Sequence, residues 1–319
     1  MANDTVAERQ QTAERQLREK LRLERPLAAQ SRTILRNMSD DLATVYAATG
    51  TIINAEEYRD DWIGTLRPHY RKAERSFGRD LDDVLAENPE DEDAPFELLL
   101  LVALAARRGS TVQEEVDRFK ADRDAALVRF TNTAVPVRAD LITQTNQREL
   151  ERSVATATAQ IIEEGETPTR QTVAVRAKRN FRDSSLYRGN VIAATEIQNA
   201  AEGTKDIEAE TFNQQVRPLE TSGDATIERF KEWHTQGDER VRPAHVAADL
   251  QRVGFDQAFT VDGERLRFPG DSSLGASAGN TINCRCAAVY KLEGSVVRVQ
   301  RSESDTGFFG DLGDFEDIV

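Results

Sequence analysis

Cysteine is nearly missing from this chain of 319 residues, with only Cys284 and Cys286 present. Two cysteines cannot form a disulfide framework, and a Cys-x-Cys pair is too cramped for relaxed bridging geometry. A reducing setting is therefore expected. Histidine is limited to His69, His234 and His245, which leaves little material for a serine-type triad. No Gly-rich phosphate loop occurs. The longest apolar run, Leu98–Ala106, is far short of the ~20 residues that cross a bilayer, and it predicts a buried helix. Residues 1–25 are polar and charged, without the apolar stretch of a secretory signal, so no membrane contact is expected. Positive charge is also in deficit: 42 Lys and Arg face 56 Asp and Glu, for a net charge of −14. That balance argues against a dedicated duplex-DNA coat, because phosphate neutralisation drives such binding. Solubility is the simplest role for the excess acid.

What is present reads as helices first and a mixed unit later. The length suggests two or three domains, and the pattern divides the chain into four segments. These are an N-terminal helical arm at 1–50, a helical body at 51–218, a small α+β domain at 219–293 and an acidic aromatic tail at 294–319. Leu35, Met38, Leu42 and Val45 recur on one helix face, and Gly50 stops that helix as a C-terminal cap would. Upstream of Pro26 the stripe thins to Leu17, Leu21 and Leu23 amid Arg9, Arg15, Arg18, Lys20, Arg22 and Arg25. Such an arm has too little apolar surface to fold onto the body alone and reads either as a solvated or frayed helix or as one that orders against a partner, with packaged DNA as one partner for its arginines. Asn54 with Glu57 resembles a capping box. Tyr58, Trp62, Leu66 and Tyr70 follow on one face, with Pro68 predicted to kink or end the helix. Pro89–Pro95 reads as a solvated acidic turn. Phe96–Arg108 is a helix closed by Gly109, and Thr111 with Glu114 caps the next. Further helices are predicted over Pro136–Glu164, Pro168–Phe181 and Ser185–Phe212.

The pattern changes after Pro218. Thr226–Thr235 alternates enough for a strand, and Pro243–Gln251 reads as a short helix. Phe259–Phe268 is a hairpin around Asp262-Gly263, a pair suited to a tight primed turn. Pro269-Gly270 ends that hairpin, and Cys284–Leu292 closes the sheet. The expected fold class is α+β: a mainly helical body followed by a small α+β domain with a short antiparallel sheet.

Within this last region one order of residues stands out. Lys231-x-Trp233 leads into Asp238-x-Arg240-x-Arg242-x-x-His245, then Asp249, Phe259, Phe268-Pro-Gly-Asp271 and finally Asn283-Cys284-Arg285-Cys286. Order and spacing resemble the C-terminal domain of the phage Mu F-like minor head proteins, over roughly residues 190–293. The chain departs from that pattern at Leu250, where a Gly usually follows the aspartate. The resemblance implies a virion protein made in the host cytoplasm and placed in the capsid interior near the portal vertex. Its implied roles are head assembly, genome packaging or genome delivery, with portal protein, major capsid or scaffolding protein as partners. It also implies that the helix carrying Thr195-Glu196 packs on the small sheet. Glu196 then belongs to a structural network with Asp238, Arg240 and Arg242, pairing with one of the two arginines.

The chemistry of the signature centres on sulfur and imidazole. Cys284 and Cys286 at the start of one strand share a face. His245 can complete three ligands of a zinc site, with Asp238 or Asp249 as a fourth. The competing reading keeps the cysteines as small buried residues and His245 as a hydrogen-bonded structural histidine. A zinc-dependent hydrolase or nuclease delivered with the genome is the alternative function, with Asp238, Glu239 or Asp249 as base. A zinc deaminase is excluded, because its His-x-Glu and Pro-Cys-x-x-Cys motifs are missing. The chain is expected not to be an enzyme. In the tail, Phe308, Phe309 and Phe315 sit among six acids, a composition that suits partner binding rather than a core.

Overall fold

In the computed structural model, residues 6–78 and 95–296 are described, with side chains from Glu14 onward. Most of the acidic turn, and the tail with Phe308, Phe309 and Phe315, lie outside the described residues.

Long helices dominate. They are α1 (Val6–Thr49), α2 (Arg59–Phe77), α3 (Phe96–Arg108), α4 (Val112–Glu163) and α5 (Arg170–Thr221). The local signals read from sequence sit where expected at several ends. Gly109 adopts a left-handed conformation with φ 66° and closes α3. Thr111 and Glu114 form a reciprocal capping box: the Glu114 N–H donates to Thr111 Oγ1 at 3.2 Å, and the Thr111 N–H donates to Glu114 Oε2 at 2.7 Å. Asn54 caps as predicted, but its Oδ1 accepts from the Glu56 N–H at 3.0 Å, and a turn of 3-10 helix precedes α2.

Prolines behave differently from expectation. Helix α2 continues past Pro68 rather than ending there, and α4 runs past Pro136 rather than starting there. Proline removes one backbone donor and crowds the carbonyl four residues earlier. Those earlier residues are Gly64 and Asn132, both exposed, as is Arg22 before Pro26. Water can take each released carbonyl, while buried side chains on both sides hold the helix. The break expected between Phe181 and Ser185 does not occur either. Both serines there donate back to Phe181 O, at 2.8 Å each, a mid-helix bond that competes with capping.

The arm also corrects the sequence reading. Leu23, Leu27 and Ala28 are buried, and Lys20 is only 4% exposed. The thin apolar stripe is supplemented by a buried charge that periodicity does not count.

The described residues form two compact units that do not follow the four expected segments. One comprises 6–78, 122–211 and 229–291; the other comprises 95–121, 212–228 and 292–296. The first contains a helical core around Leu27, Leu35, Trp62, Tyr70, Phe181 and Ile197. It also contains a smaller core around Trp233, Phe259, Leu266, Cys284 and Cys286. The second unit is built on Leu98, Leu101, Leu104, Phe119, Phe212 and Val216, with Phe119 and Phe212 edge to face at 5.7 Å.

The later elements are short, and the fold class is α+β as expected. Strand β1 (Ala225–His234) is followed by α6 (Pro243–Ala247), β2 (Arg252–Val253), β3 (Phe259–Val261), β4 (Glu264–Leu266), α7 (Ala278–Thr281) and β5 (Ala287–Val296). One sheet has the order β2-β1-β5, with β1 antiparallel to β2 through Lys231 opposite Val253. The hairpin β3-β4 pairs Phe259 with Leu266 and Val261 with Glu264. Asp262 and Gly263 both have positive φ, 51° and 76°, as a primed two-residue turn requires. Leu250, where the resembled family has Gly, adopts φ 60°. The turn therefore keeps the glycine-like conformation, and a side chain there costs roughly 1–2 kcal/mol. Its N–H still donates to Trp233 O at 2.7 Å.

Candidate metal centre

One face of α5 is polar yet buried. Thr195, Glu196, Gln198, Asn199, Glu202 and Asp206 are at most 5% exposed, and their spacing places them on one side of the helix. Buried polar groups are costly unless paired, and here nearly every atom has a partner. Gln198 Nε2 donates to Pro269 O at 3.0 Å and Cys286 O at 2.7 Å. Glu202 accepts from Lys20 at 2.8 Å, from Lys205 at 2.8 Å and from the Ala288 N–H at 2.8 Å. The Asn283 N–H donates to Thr195 Oγ1 at 2.9 Å. The loops of the small α+β region are thus held by side chains of α5 rather than by an apolar seam.

Glu196 belongs to this face, but its partner is not Arg240 or Arg242. It takes a bidentate pair from Arg138 of α4, at 2.7–3.0 Å, and a hydrogen bond from the Tyr70 hydroxyl at 3.1 Å. Arg138 reaches it inside the helical core, whereas Arg240 is exposed. Arg242 donates instead to Ile282 O, and Asp238 pairs with Arg285 while accepting the Arg240 N–H at 3.1 Å. The four residues of the expected network thus fall into three separate sets of contacts.

The Lys-x-Trp pair of β1 has a clear role. Side chains two apart share a strand face, and Lys231 and Trp233 are 1% and 0% exposed. Lys231 Nζ lies 3.3 Å from Asp206 Oδ1 and donates to Arg267 O at 2.8 Å. Arg267 and the Tyr290 hydroxyl complete the shell of Asp206 at 2.6 and 3.0 Å. Burial lowers the Lys231 pKa while Asp206 opposes the shift, and burial raises that of Tyr290. Trp233 stands edge to face against His245 and Phe259, with ring centroids at 5.5 and 5.4 Å.

Beneath Trp233 lie the three residues singled out from sequence. His245 Nδ1 is 3.4 Å from Cys286 Sγ and 3.7 Å from Cys284 Sγ. The ligand atoms of His245, Cys284 and Cys286 lie within 4.8 Å of one another, and all three residues are buried. This cluster can hold a metal ion. The cysteines are not on a strand as expected; they lie just ahead of β5, in a loop opened by Asn283 at φ 53°. Asn tolerates that conformation better than most residues, which accounts for it in Asn-Cys-x-Cys. The hydrogen bond from Cys286, aided by His245 and opposed by burial, brings the Cys284 thiol down to about 5. The same bond and burial push Cys286 up.

Neither proposed fourth ligand joins the cluster. Asp238 is committed to Arg285, and Asp249 is exposed and accepts the Thr235 N–H at 2.7 Å. Sequence reasoning also missed Lys20, Arg138, Gln198, Glu202, Lys205 and Asp206. The four on α5 lie in a run of polar residues interleaved with Ala193, Ile197, Ala200 and Ala201, their only signal, whereas Lys20 and Arg138 sit on other helices and gave none. No family model, curated protein or solved structure matches the chain.

Proposed function

We propose that this chain is a minor head protein of a tailed virus, acting inside the capsid near the portal vertex in head assembly, genome packaging or genome delivery. One observation carries the reading. The residues whose order resembles the Mu F-like signature converge in space: Lys231 and Trp233 from β1, His245 from α6 and the Cys-x-Cys loop pack around one small core. Portal protein is the proposed partner. The test is to purify virions and ask whether the chain co-purifies with portal in disrupted heads. Its absence from particles overturns the reading.

The metal we propose for the cluster is zinc, bound as a structural ion. Zn–S and Zn–N bonds of about 2.3 and 2.0–2.1 Å at tetrahedral angles place nitrogen and sulfur ligands roughly 3.6 Å apart. The two distances here, 3.4 and 3.7 Å, bracket that value. Each donor residue is only 2–3% exposed, so substrate has little access to an ion here, and that burial, rather than a full set of four protein ligands, favours a structural role over the hydrolytic alternative. Purified protein is expected to contain about one zinc per chain, lost in Cys286→Ser. Metal-free protein with unchanged thermal stability rules the zinc out.

A further inference from the structure

Helix α2 carries a feature that the signature does not use. Ile63, Gly64 and Pro68 line a cavity of about 350 Å³, rimmed by Arg67, Arg71, Lys72 and Arg75. Gly64 has no side chain and nothing within 4 Å of where one would start, so the notch is open. Arg71, Lys72 and Arg75 are exposed and Arg67 is half-buried. Across 63–76 the only acid is Glu74, and its carboxylate accepts from the Thr131 hydroxyl rather than from a cation. None of the four cations has an acidic partner among the described residues, and the Nε of Arg67 is buried with no acceptor there. Several other cations of the chain are paired, among them Arg138 with Glu196, Arg176 with Glu164 and Lys178 with Asp40.

We propose that this face of α2 binds the phosphodiester backbone of nucleic acid. At 1.5 Å per residue the cations extend over roughly 12 Å of the helix, enough to meet successive phosphates. Three of the four are Arg, whose planar fork matches phosphate oxygens. The apolar floor formed by Ile63 and the Pro68 ring offers van der Waals contact to a sugar or an unstacked base, beside a cationic rim of the kind that tracks a single-strand backbone. The net charge of −14 weakens attraction at long range. At physiological salt, charges beyond about 8–10 Å are screened, so the local stripe dominates. The site lies outside residues 190–293 and does not depend on the proposed head function or on zinc.

The test uses the full chain with fluorescent 20-nucleotide single strands and duplexes, titrated from 50 to 300 mM salt. Four phosphate contacts predict a slope of log K against log salt of about −3 to −4, nearer −3 for a single strand. Arg71→Ala/Lys72→Ala/Arg75→Ala is expected to lower affinity about 100-fold or more at 0.1 M salt and to flatten the slope by about 2. A control removes three exposed cations from α4 and α5 (Arg148→Ala/Arg152→Ala/Arg182→Ala), making the same change in net charge, and is expected to leave both nearly unchanged. Circular dichroism confirms that both variants are folded. Undetectable binding, equal loss in the control, or a slope unaffected by the α2 substitutions overturns the proposal. Tighter capture of a synthetic acidic peptide than of either nucleic acid also overturns it, in favour of a protein partner.

Discussion

Replacing Glu202 with alanine is expected to cost about 3–5 kcal/mol, because it leaves buried charges without a counter-ion. Lys20 and Lys205 both contact this carboxylate, which is fully enclosed. Its second oxygen takes the Ala288 N–H, so the substitution also strands a backbone donor. Chemical denaturation measures the loss. Hydrogen exchange should show faster opening of α1 around Lys20, whose docking depends on that charge. A variant whose α1 exchanges as slowly as the parent removes Lys20 as the anchor. The same group sets an acid limit. Burial opposes its ionisation, but the two lysines and their hydrogen bonds outweigh burial and hold its pKa below the usual 4.5. A depressed folded value means the carboxylate's contribution is complete above pH 4.5 and is lost as pH falls through the lower folded value.

Glu196→Ala should be as severe for a related reason. Arg138 sits within the helical core, with a side chain only 10% exposed, and the carboxylate is its sole acidic contact among the described residues. Removing one partner of a buried pair costs about 3–5 kcal/mol, whereas replacing both by apolar residues of similar volume is often neutral or better. Arg138→Met/Glu196→Leu is therefore expected to recover most of the stability lost in either single variant. A double variant as unstable as the sum of the two singles shows instead that Tyr70 and Ser272, which also bond this pair, set the requirement.

The sequence revealed the parts of this structure that depend on neighbours in the chain. Capping at Thr111, the stop at Gly109 and the turn at Asp262-Gly263 each need only a few adjacent residues, and each is where the pattern placed it. Proline was misleading because its effect depends on whether the carbonyl four residues earlier can reach water. Gly64 and Asn132 allow that, and no local pattern reports it. The cluster of His245, Cys284 and Cys286 was legible because Cys and His are scarce, so their convergence had few alternatives. The partner of Glu196 was not legible. Arg138 lies 58 residues away on another helix, and many arginines in the chain offer the same chemistry.

The buried polar face of α5 bears on modularity. Carbonyls of Pro269, Gly270, Cys286 and Ala288 find their donors in Gln198, Asn199 and Lys205. Each lost bond to a buried group leaves a desolvated atom costing about 1–3 kcal/mol. A fragment cut at residue 219, where composition changes, would leave all of these acceptors behind without their donors. A fragment that keeps these loops together with their donors must therefore begin near residue 190 and include part of a helix that sequence alone assigns to the neighbouring body.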